Sequence, residues 1–600
     1  MAPAPDPQSQ FLQAVQLHQR GDLRRASDAY EALVAAGFRT ADVASNLSAV
    51  RLQLGDVEGS ERNARRALQA QPSHPNAWNH LGLALKAQGA GPKAAAAFRR
   101  CVAIEPRHDM AWYNLAEVLA AAEDTPGAVE AYARAVAADP GNALALVGLV
   151  HRKQQLASWD GLDEALSRLS AAIRAGDGRV DPFALLFCCT DPGELQRAAR
   201  NKAAAIEAQA TALYSGAMGE GASRSRTDGR IRVGYVSANF NDHAVGTLIC
   251  QLLEAHDRSR FQVHAYCHSG PRGGPRRERI KAAVDRFVEI DALDDGAAAR
   301  LIHDDGIDVL VDLMGYTLGQ RLGVFALRPA PVQVTWIGYA GTLGGLGMDY
   351  IIADAVVIPP GQEQFYDEAI VRMPVCYQVN DAARRRSDEP MSRMEQGVPE
   401  DAVVYCCFNQ TAKITPPVLA LWARVLAEVP DGVLWLWRRH SAAEVNLRAA
   451  FAAAGGDAGR LYFGETLPEP EHLTRYGLCD LFLDTTPYGG HATASNALYG
   501  GCPLLALPGR TFASKVSSSL LTALGLTDLI AASAEDYVAR AVRVGRDPDL
   551  RAGLKGRLQA AISTSPLFDG ARFARALEQA MTIMVEHHAA GLPASAIDLL

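Results

Sequence analysis

The sequence lacks the marks of several protein classes. No apolar run is long enough to span a bilayer, and the opening MAPAPDPQSQ has no basic segment followed by an apolar core, as a secretory signal would. The ten cysteines include no CxxC pair and no zinc-type spacing with histidine. The formal net charge of −8 argues against a dedicated nucleic-acid binder. We therefore expect a cytoplasmic protein with reduced thiols, no metal or other cofactor, and no membrane or nucleic-acid partner.

Two common nucleotide-binding fingerprints are also missing. No predicted strand is followed by GxGxxG, and the chain has no Walker A sequence, which argues against a hydride-transfer enzyme and a P-loop NTPase. At 600 residues the chain is too long for a single hydrophobic core, so several domains are expected.

The N-terminal region carries a repeat of 34 residues. Six columns of identical or similar residues recur at this period: Gly21, Gly55 and Gly89; Pro72, Pro106 and Pro140; Leu47, Leu81, Leu115 and Leu149; Trp78 and Trp112; Tyr30, Ala64, Phe98 and Tyr132; Ala26, Ser60, Ala94 and Ala128. This pattern is typical of tetratricopeptide repeats, which stack helix pairs into an α-solenoid. We predict about four repeats within residues 1–143.

The concave surface of such a solenoid usually holds an extended peptide. A purely structural stack or a dimerisation surface is the alternative. Asn46 and Asn114 share a column that is expected to face the groove, but His80 and Gly148 interrupt it.

The remainder divides into three segments. Residues 144–228 are predicted to form a helical linker that ends in the polar stretch 219–229. Residues 229–381 and 382–592 each alternate strands with helices, which predicts two α/β lobes with parallel, doubly wound sheets, facing across a cleft. Ligands of such sheets bind beyond the carboxyl ends of the strands. The predicted strands are 232–237, 261–267, 307–313, 332–337, 403–408, 433–437, 461–463, 481–484 and 504–507.

One stretch, residues 479–508, reads as a strand, a glycine turn, a helix and a second strand. The helix N-terminus offers unpaired amides that suit a phosphate. His491 beside it can donate to a phosphate oxygen, and Asn496 can hydrogen-bond a ribose hydroxyl. An ordinary strand–helix crossover with a buried histidine explains the same pattern, so this stretch alone leaves both interpretations open.

Several motifs give the chain a family resemblance. With residues 479–508, the segments VGYVSANFNDH, DDGIDVLVDLMGYT, FALRPAPVQVTWIGYAGT, VVYCCFNQTAKI and SPLF resemble the protein O-linked N-acetylglucosamine transferase family, over about residues 40–592. Members are inverting, metal-independent nucleotide-sugar glycosyltransferases with two Rossmann-like lobes of GT-B type.

The resemblance implies transfer of N-acetylglucosamine from UDP-GlcNAc to serine or threonine hydroxyls of proteins bound by the repeats. Plant relatives use GDP-fucose, so another donor is one alternative, and a non-catalytic repeat scaffold is the other. A homodimer is one oligomeric state that stays open.

The resemblance also implies residue roles at the diphosphate. Lys413 and Gln410 match the family's diphosphate-binding lysine and its neighbouring glutamine. A fixed cation there would stabilise the charge that builds on the leaving nucleotide, so Lys413 is also a predicted catalytic residue. His491, Ala492 and Thr493 match the family's phosphate cradle, with alanine in place of its first threonine.

Further matches concern the nucleoside. His472 and Arg475 match the uracil and nucleotide contacts, and Leu467 matches a backbone position that contacts the base. Glu469 stands where the family has lysine, and Asn496 where animal members have a ribose-binding aspartate. These two departures leave the preferred donor open.

The last matches lie in the first lobe. His243 matches an active-site histidine and could accept the proton of the acceptor hydroxyl near neutral pH, or instead hold the sugar or phosphate. Asp305 matches a nearby family aspartate, and Thr342 lies on a loop that is expected to face the sugar. A further family histidine is Asp308 here.

Overall fold

The computed structural model describes residues 6–214, 229–270 and 272–599. The predicted boundary at 219–229 therefore lies outside the described residues, apart from Gly229. The chain divides into two compact units, Met1–Lys153 with Glu164–Leu169, and Gln154–Asp163 with Ser170–Leu600. Across the described ranges, no helix combines the length and the apolar character needed to cross a bilayer.

The first unit is built from paired antiparallel helices, which confirms the predicted repeats. Aspartates cap three of the second helices, because Asp22, Asp56 and Asp124 accept hydrogen bonds from amides three residues ahead. The helices, of which α9 and α10 have residues in both units, are α1 (Pro7–Gln19), α2 (Leu23–Ala35), α3 (Thr40–Gln53), α4 (Val57–Ala70), α5 (Pro75–Ala87), α6 (Gly91–Ile104), α7 (Asp109–Ala121), α8 (Thr125–Ala138), α9 (Ala143–Gln155) and α10 (Leu162–Arg174).

The predicted asparagine column is only partly open. Asn46 and His80 are half-buried, but Asn114 is buried and donates from Nδ2 to Oδ1 of Asn79, one repeat earlier, at 3.0 Å. Gly148 occupies the same column because any side chain there would overlap the ring of Tyr132. The residues of this column therefore make contacts between repeats. They do not form a continuous row of side chains that could bind a peptide backbone.

The second unit begins with two helices, α11 (Pro182–Leu185) and α12 (Pro192–Tyr214). Its first sheet has eight parallel strands in the order β13–β7–β6–β5–β4–β1–β2–β3. The strands are β1 (Ile231–Ser237), β2 (Phe261–Cys267), β3 (Arg286–Glu289), β4 (Val309–Asp312), β5 (Val332–Thr335), β6 (Tyr350–Ala353) and β7 (Ala369–Arg372), with β13 (Ile597–Asp598) from the end of the chain. The helices between them are α13 (Ala244–Ala255), α14 (Pro275–Ala282), α15 (Asp295–Asp304) and α16 (Leu322–Ala326).

The second sheet has five parallel strands in the order β10–β9–β8–β11–β12. They are β8 (Val403–Cys407), β9 (Gly432–Trp437), β10 (Leu461–Gly464), β11 (Leu481–Leu483) and β12 (Leu504–Leu505). The helices are α17 (Pro416–Glu428), α18 (Ser441–Ala453), α19 (Glu469–Tyr476), α20 (Ala492–Tyr499), α21 (Val516–Ala523), α22 (Ala534–Arg546), α23 (Pro548–Thr564) and α24 (Gly570–Ala589). All five predicted strands are present, and the two parallel sheets confirm the two α/β lobes.

Four strands of the first sheet escaped prediction. Edge strand β3 is exposed at both ends, so it has no apolar run. β6 and β7 are short apolar segments of the same length as the predicted β4 and β5, so their sequences carried a signal that the prediction missed. β13 joins β7 from more than 200 positions along the chain, a pairing that local pattern does not reveal.

Helix α24 follows the second sheet in the chain but packs against the first lobe. The ring of Phe573 stacks on Trp336, with centroids 5.5 Å apart. Glu578 is buried, and its Oε1 accepts hydrogen bonds from His256 Nδ1 at 2.9 Å and from the Asp257 amide at 2.8 Å. Because this carboxylate can only accept, His256 is left with a lone pair on Nε2, which accepts from Tyr235 at 2.8 Å.

Replacing Glu578 with alanine is expected to lower the free energy of unfolding by about 3 kcal/mol, because two buried donors lose their acceptor. Chemical denaturation measures the change. Glu578→Gln should cost less because an amide oxygen remains, and Gln579→Ala, at an exposed neighbour, should be neutral. An unchanged midpoint for Glu578→Ala contradicts the bracing role.

Candidate functional site

The site forms where strands β8 and β11 end side by side. The segments after them, residues 408–413 and 484–491, therefore lie together at the carboxyl edge of the second sheet. Lys413 ends a short 3₁₀ turn in the first segment and is buried. Its Nζ donates to the carbonyl oxygen of Gly489 at 2.7 Å and lies 3.7 Å from the ring centroid of Tyr488. The structure thus holds the lysine against the turn that precedes α20.

Burial controls the charge of Lys413. Desolvation lowers its pKa from 10.5 to about 7, and the nearby Asp484 carboxylate opposes part of that shift. Burial also raises the pKa of Asp484, which accepts from the Gly490 amide at 2.6 Å and from Asn409 at 3.1 Å. Binding of an anion beside the lysine would therefore shift its protonation equilibrium towards the charged ammonium.

The turn before α20 brings its backbone close to Asp484 and to the first turn of the helix. A Cβ on Gly490 would stand 2.9 Å from the Cβ of Ala494, and one on Gly489 would stand 2.8 Å from Asp484, so both positions require glycine. The amides of Ala492 and Thr493, in the first turn, have no intrahelical acceptor. These N–H groups and the Lys413 ammonium supply the donors and the positive charge that a diphosphate needs.

His491 differs from the prediction. Its Nε2 lies 3.1 Å from the carbonyl oxygen of Ala513, and because a carbonyl only accepts, Nε2 must carry the ring proton. Burial and the charge of Lys413 hold the pKa of His491 well below its usual value, so the ring is neutral. In this arrangement its N–H is not free for a phosphate oxygen. His491 positions the turn against Ala513 instead.

His472 and Arg475 form one unit on α19. The Arg475 guanidinium donates to Nδ1 of His472 at 2.7 Å and to the carbonyl of Glu465 at 2.7 Å, and it packs 4.2 Å from the centroid of Phe408. Arg475 is fully buried and orients His472 through this hydrogen bond. Its buried position does not support the direct nucleotide contact that we predicted. Burial and this cation lower the pKa of His472 to about 3. A neutral imidazole, half-exposed at this edge, is suited to stack on a base.

The remaining predicted nucleoside residues border the same edge. Gln410 is exposed directly after β8, and Leu467 is half-buried just before α19. Glu469 is the first residue of α19, and it pairs with Arg276 of α14 in the other lobe. Asn496 accepts from Arg384 Nη1 at 2.6 Å. The structure thus brings Gln410, Leu467, Glu469 and Asn496 to the neighbourhood of His472 and Lys413.

His243 lies at the N-terminus of α13, after the carboxyl end of β1. Its Nδ1 accepts from the Val245 amide at 3.2 Å, so the ring proton must sit on Nε2. Burial and the nearby Arg272 both lower the pKa of His243, which favours the neutral ring. The ring then offers an N–H and not a lone pair, and this geometry favours holding a sugar or phosphate oxygen over accepting a proton.

Two predicted residues of the first lobe do not join the site. Asp305 lies between α15 and β4, at the amino edge of the sheet, where it accepts from Tyr266 at 2.7 Å and from Arg286. His243 is at the opposite edge. Thr342 is buried, and its hydroxyl donates to the buried Glu368 at 2.7 Å. Both side chains hold the first lobe together, and neither is available to a sugar in the cleft.

Sequence reasoning missed the residues that surround Lys413. Tyr488 covers the ammonium and contacts His491 and Phe187, with centroids 4.8 and 4.9 Å away, respectively. Its place between the strand and the glycine turn was a signal that we did not use. Arg384, in the segment between the lobes, gave no sequence signal.

Within the described part of the chain, no group of three or more His, Cys, Asp or Glu side chains is arranged to hold a metal ion. The positive charge at the site comes from Lys413 and the helix N-terminus.

Comparisons with known proteins match both parts of the chain. The model described as glycosyl transferase family 41 matches residues 184–388 and 386–577. A tetratricopeptide repeat model matches residues 47–106 and 94–143.

Named relatives extend this similarity. The chain is 32% identical over 458 residues to the probable UDP-N-acetylglucosamine–peptide N-acetylglucosaminyltransferase SEC of Arabidopsis thaliana, over 74% of this chain and 47% of that protein. It is 29% identical over 476 residues to the UDP-N-acetylglucosamine–peptide N-acetylglucosaminyltransferase of Caenorhabditis elegans, over 61% of this chain and 41% of that protein. The chain thus spans about half or less of these curated relatives.

A solved structure covers nearly the whole fold. A mutant O-GlcNAc transferase of Thermobaculum terrenum superposes with a TM-score of 0.67 at 30% identity, over 92% of this chain and 98% of that one. This match identifies the two lobes as the GT-B type that we expected. With its repeats and both parts of the catalytic-lobe model in place, the chain belongs to glycosyl transferase family 41.

Proposed function

We propose that the chain is an inverting glycosyltransferase that transfers N-acetylglucosamine from UDP-GlcNAc to serine or threonine hydroxyls of proteins. The observation that carries this proposal is the buried Lys413 beside the open first turn of α20. A fixed cation beside backbone donors can stabilise the charge that a leaving diphosphate develops, and this supports the proposal. The names of the relatives, which specify UDP-GlcNAc and a peptide, support this donor and acceptor.

In the proposed mechanism the acceptor hydroxyl oxygen attacks the anomeric carbon directly and gives up its proton to a phosphate oxygen of the departing UDP or to solvent. The bond from that carbon to the phosphate oxygen breaks, its electron pair stays on UDP, and the configuration inverts. Lys413 and the amides of Ala492 and Thr493 stabilise the charge on UDP. The neutral His472 stacks on uracil beside the backbone of Leu467. Gln410 contacts the diphosphate.

The proposal also covers binding partners, cofactors and cellular location. We propose that the repeats bind the acceptor polypeptide, that the reaction uses no metal or other cofactor, and that it occurs in the cytoplasm. Nucleic acid is not an expected partner.

Another nucleotide sugar, such as GDP-fucose, is the second candidate donor. The specific observation in its favour is the charge arrangement around Glu469, which replaces the family's lysine, and Asn496, whose amide oxygen is already used by Arg384. Since UDP and GDP share the same ribose, the change at Glu469, beside the predicted base-stacking His472, is the one that bears on which base is preferred.

A calorimetric panel tests the proposal with the full chain. UDP-GlcNAc should bind more tightly than UDP-GalNAc, UDP-glucose and GDP-fucose, and His472→Ala should weaken UDP-GlcNAc binding about tenfold, within the range expected for a lost base stack. Mass spectrometry of a peptide mixture should then show added N-acetylhexosamine. Preference for GDP-fucose would replace the donor, and no binding to any donor would favour the repeat scaffold.

A further inference from the structure

A buried lysine at the end of the segment after β12 lacks an anionic partner. We call this segment, residues 506–515, the β12 loop. Lys515 is 8% exposed, and its Nζ donates to one acceptor within the described residues, Gln362 Oε1 at 2.7 Å. An ammonium has three N–H donors, and a buried cation is normally paired with an anion. Lys515 therefore keeps donors and charge for a ligand.

A second cation lies on the same loop. The Arg510 side chain is exposed, and it forms no ion pair or hydrogen bond in the part of the chain that the structure describes. Burial and the charge of Arg510 lower the pKa of Lys515 from 10.5 to about 8, so the ammonium is still charged at neutral pH. Glu363, next to Gln362, is paired with Arg372 and does not compensate these charges. Two neighbouring cations without a carboxylate indicate a site for an anion.

The β12 loop contacts both lobes. The carbonyl oxygen of Ala513, in this loop, accepts from the Gly489 amide at 3.1 Å, so the loop packs on the glycine turn before α20. Ser519, one helical turn beyond Lys515, donates to Asp354 at 2.6 Å, and Asp354 directly follows β6 of the first lobe. The two cations are therefore held next to the proposed diphosphate site, on the side where the first lobe approaches.

The strand order places this loop at the sugar end of the proposed nucleotide. The second sheet runs β10–β9–β8–β11–β12. His472 follows β10, Lys413 follows β8 and the glycine turn follows β11, so the base and the diphosphate would lie in that order along the edge. The β12 loop comes next, on the side of the diphosphate away from the base. In a nucleotide sugar the sugar lies on that side, and the acceptor must approach it there.

We propose that Lys515 and Arg510 bind an acidic side chain of the acceptor polypeptide, an aspartate or glutamate close to the serine or threonine that receives the sugar. A carboxylate can accept from the unused Lys515 donors and pair with the Arg510 guanidinium. The inference rests on the proposed function, since it requires a polypeptide acceptor at this edge. It adds a preference for acidic acceptor sequences that is set by the second lobe.

The test measures transfer from UDP-GlcNAc by the full chain to a library of serine and threonine peptides, in which each flanking position carries Asp, its neutral isostere Asn, or Lys. At one or more positions, wild-type protein should modify the aspartate peptide with a kcat/KM about tenfold above that of the asparagine peptide, because a charge-assisted hydrogen bond is gained. Lys515→Gln should reduce this ratio to within about threefold, and Lys515→Arg should retain it. Arg510→Glu, at an exposed position that tolerates substitution, should favour lysine there instead.

Arg424→Gln is the matched control, because this exposed arginine of the same lobe lies about two turns along α17, away from the edge, and it should leave the ratio unchanged. Calorimetry should show the same UDP affinity, within twofold, in every variant. If wild-type protein modifies peptides without regard to acidic residues, or if Arg510→Glu keeps the wild-type ratio, the inference is wrong although the proposed function stands. A folded Lys515→Gln variant that loses UDP affinity and keeps the ratio would assign the lysine to the nucleotide and overturn the inference. If wild-type protein modifies no peptide, both proposals fail.

Discussion

Replacing Lys413 with alanine is expected to lower the turnover number by about 10²- to 10³-fold, the range found when a preorganised charge-stabilising donor is removed. The lysine is buried, hydrogen-bonded to Gly489 and covered by Tyr488. In the alanine variant, therefore, no flexible lysine or arginine from the surface can supply the missing charge. The stabilisation that it gives is largest when the sugar has left and UDP carries the full charge. The loss should therefore appear in kcat more than in KM.

Single-turnover and steady-state transfer assays with UDP-GlcNAc measure this loss. Lys555→Ala is the matched control, because that lysine lies in the same lobe but pairs with Asp480, away from the turn at Gly489. Both variants should show the thermal transition of the wild type within a few degrees. A folded Lys413→Ala variant with more than a tenth of wild-type turnover would mean that the diphosphate is stabilised elsewhere.

The affinity for UDP is expected to fall by up to about tenfold per pH unit as the pH rises from 7 to 9. In the free protein burial depresses the pKa of Lys413 to about 7, so above this pH the lysine is mostly neutral and offers no charge. A diphosphate beside it favours the ammonium and raises its pKa again. Binding above pH 7 must then take up a proton, and the cost of that uptake grows with pH.

The same depressed pKa has the opposite effect on the stability of the free protein. The unfolded chain keeps the proton on this lysine up to its ordinary pKa of 10.5, whereas the folded chain loses it near 7. Between these values the unfolded state binds more protons, so the Lys413 contribution makes folding more favourable as the pH rises. Ligand affinity and free-protein stability should therefore change in opposite directions over this window.

Calorimetry in two buffers of different ionisation enthalpy detects the proton uptake directly, as a heat difference that increases above pH 7. Lys413→Arg provides the comparison, because a guanidinium stays charged throughout this range and should flatten the pH dependence. Equal affinities for UDP at pH 7 and pH 9 in the wild type would show that the lysine is charged without the ligand.

The sequence predicted the architecture well because its signals are local. The recurring glycine, proline and aromatic columns indicated the helix pairs, and apolar runs such as 261–267 coincide with strands. Lys413 and the helix that begins at Ala492 could also be predicted, because a family motif marks the lysine and a glycine turn precedes the helix. The prediction failed where the side chain's partner is distant in sequence. Thr342 is bonded to Glu368, and Asp305 to Tyr266 and Arg286, and nothing local indicates those contacts.

By itself, the sequence determined that this protein has helical repeats followed by two parallel-sheet lobes, because hydrophobic period and turn residues are properties of short segments. It also determined which residues were candidates for a nucleotide site. Only the tertiary structure decided their roles. Burial lowered the pKa of Lys413 to about 7, and hydrogen bonds to Ala513 and Val245 fixed the protons of His491 and His243 on Nε2. The segment between the two lobes brought Arg384 to Glu469 and Asn496. Desolvation, tautomer and partner are set by atoms that approach from elsewhere in the chain, so no stretch of sequence contains them.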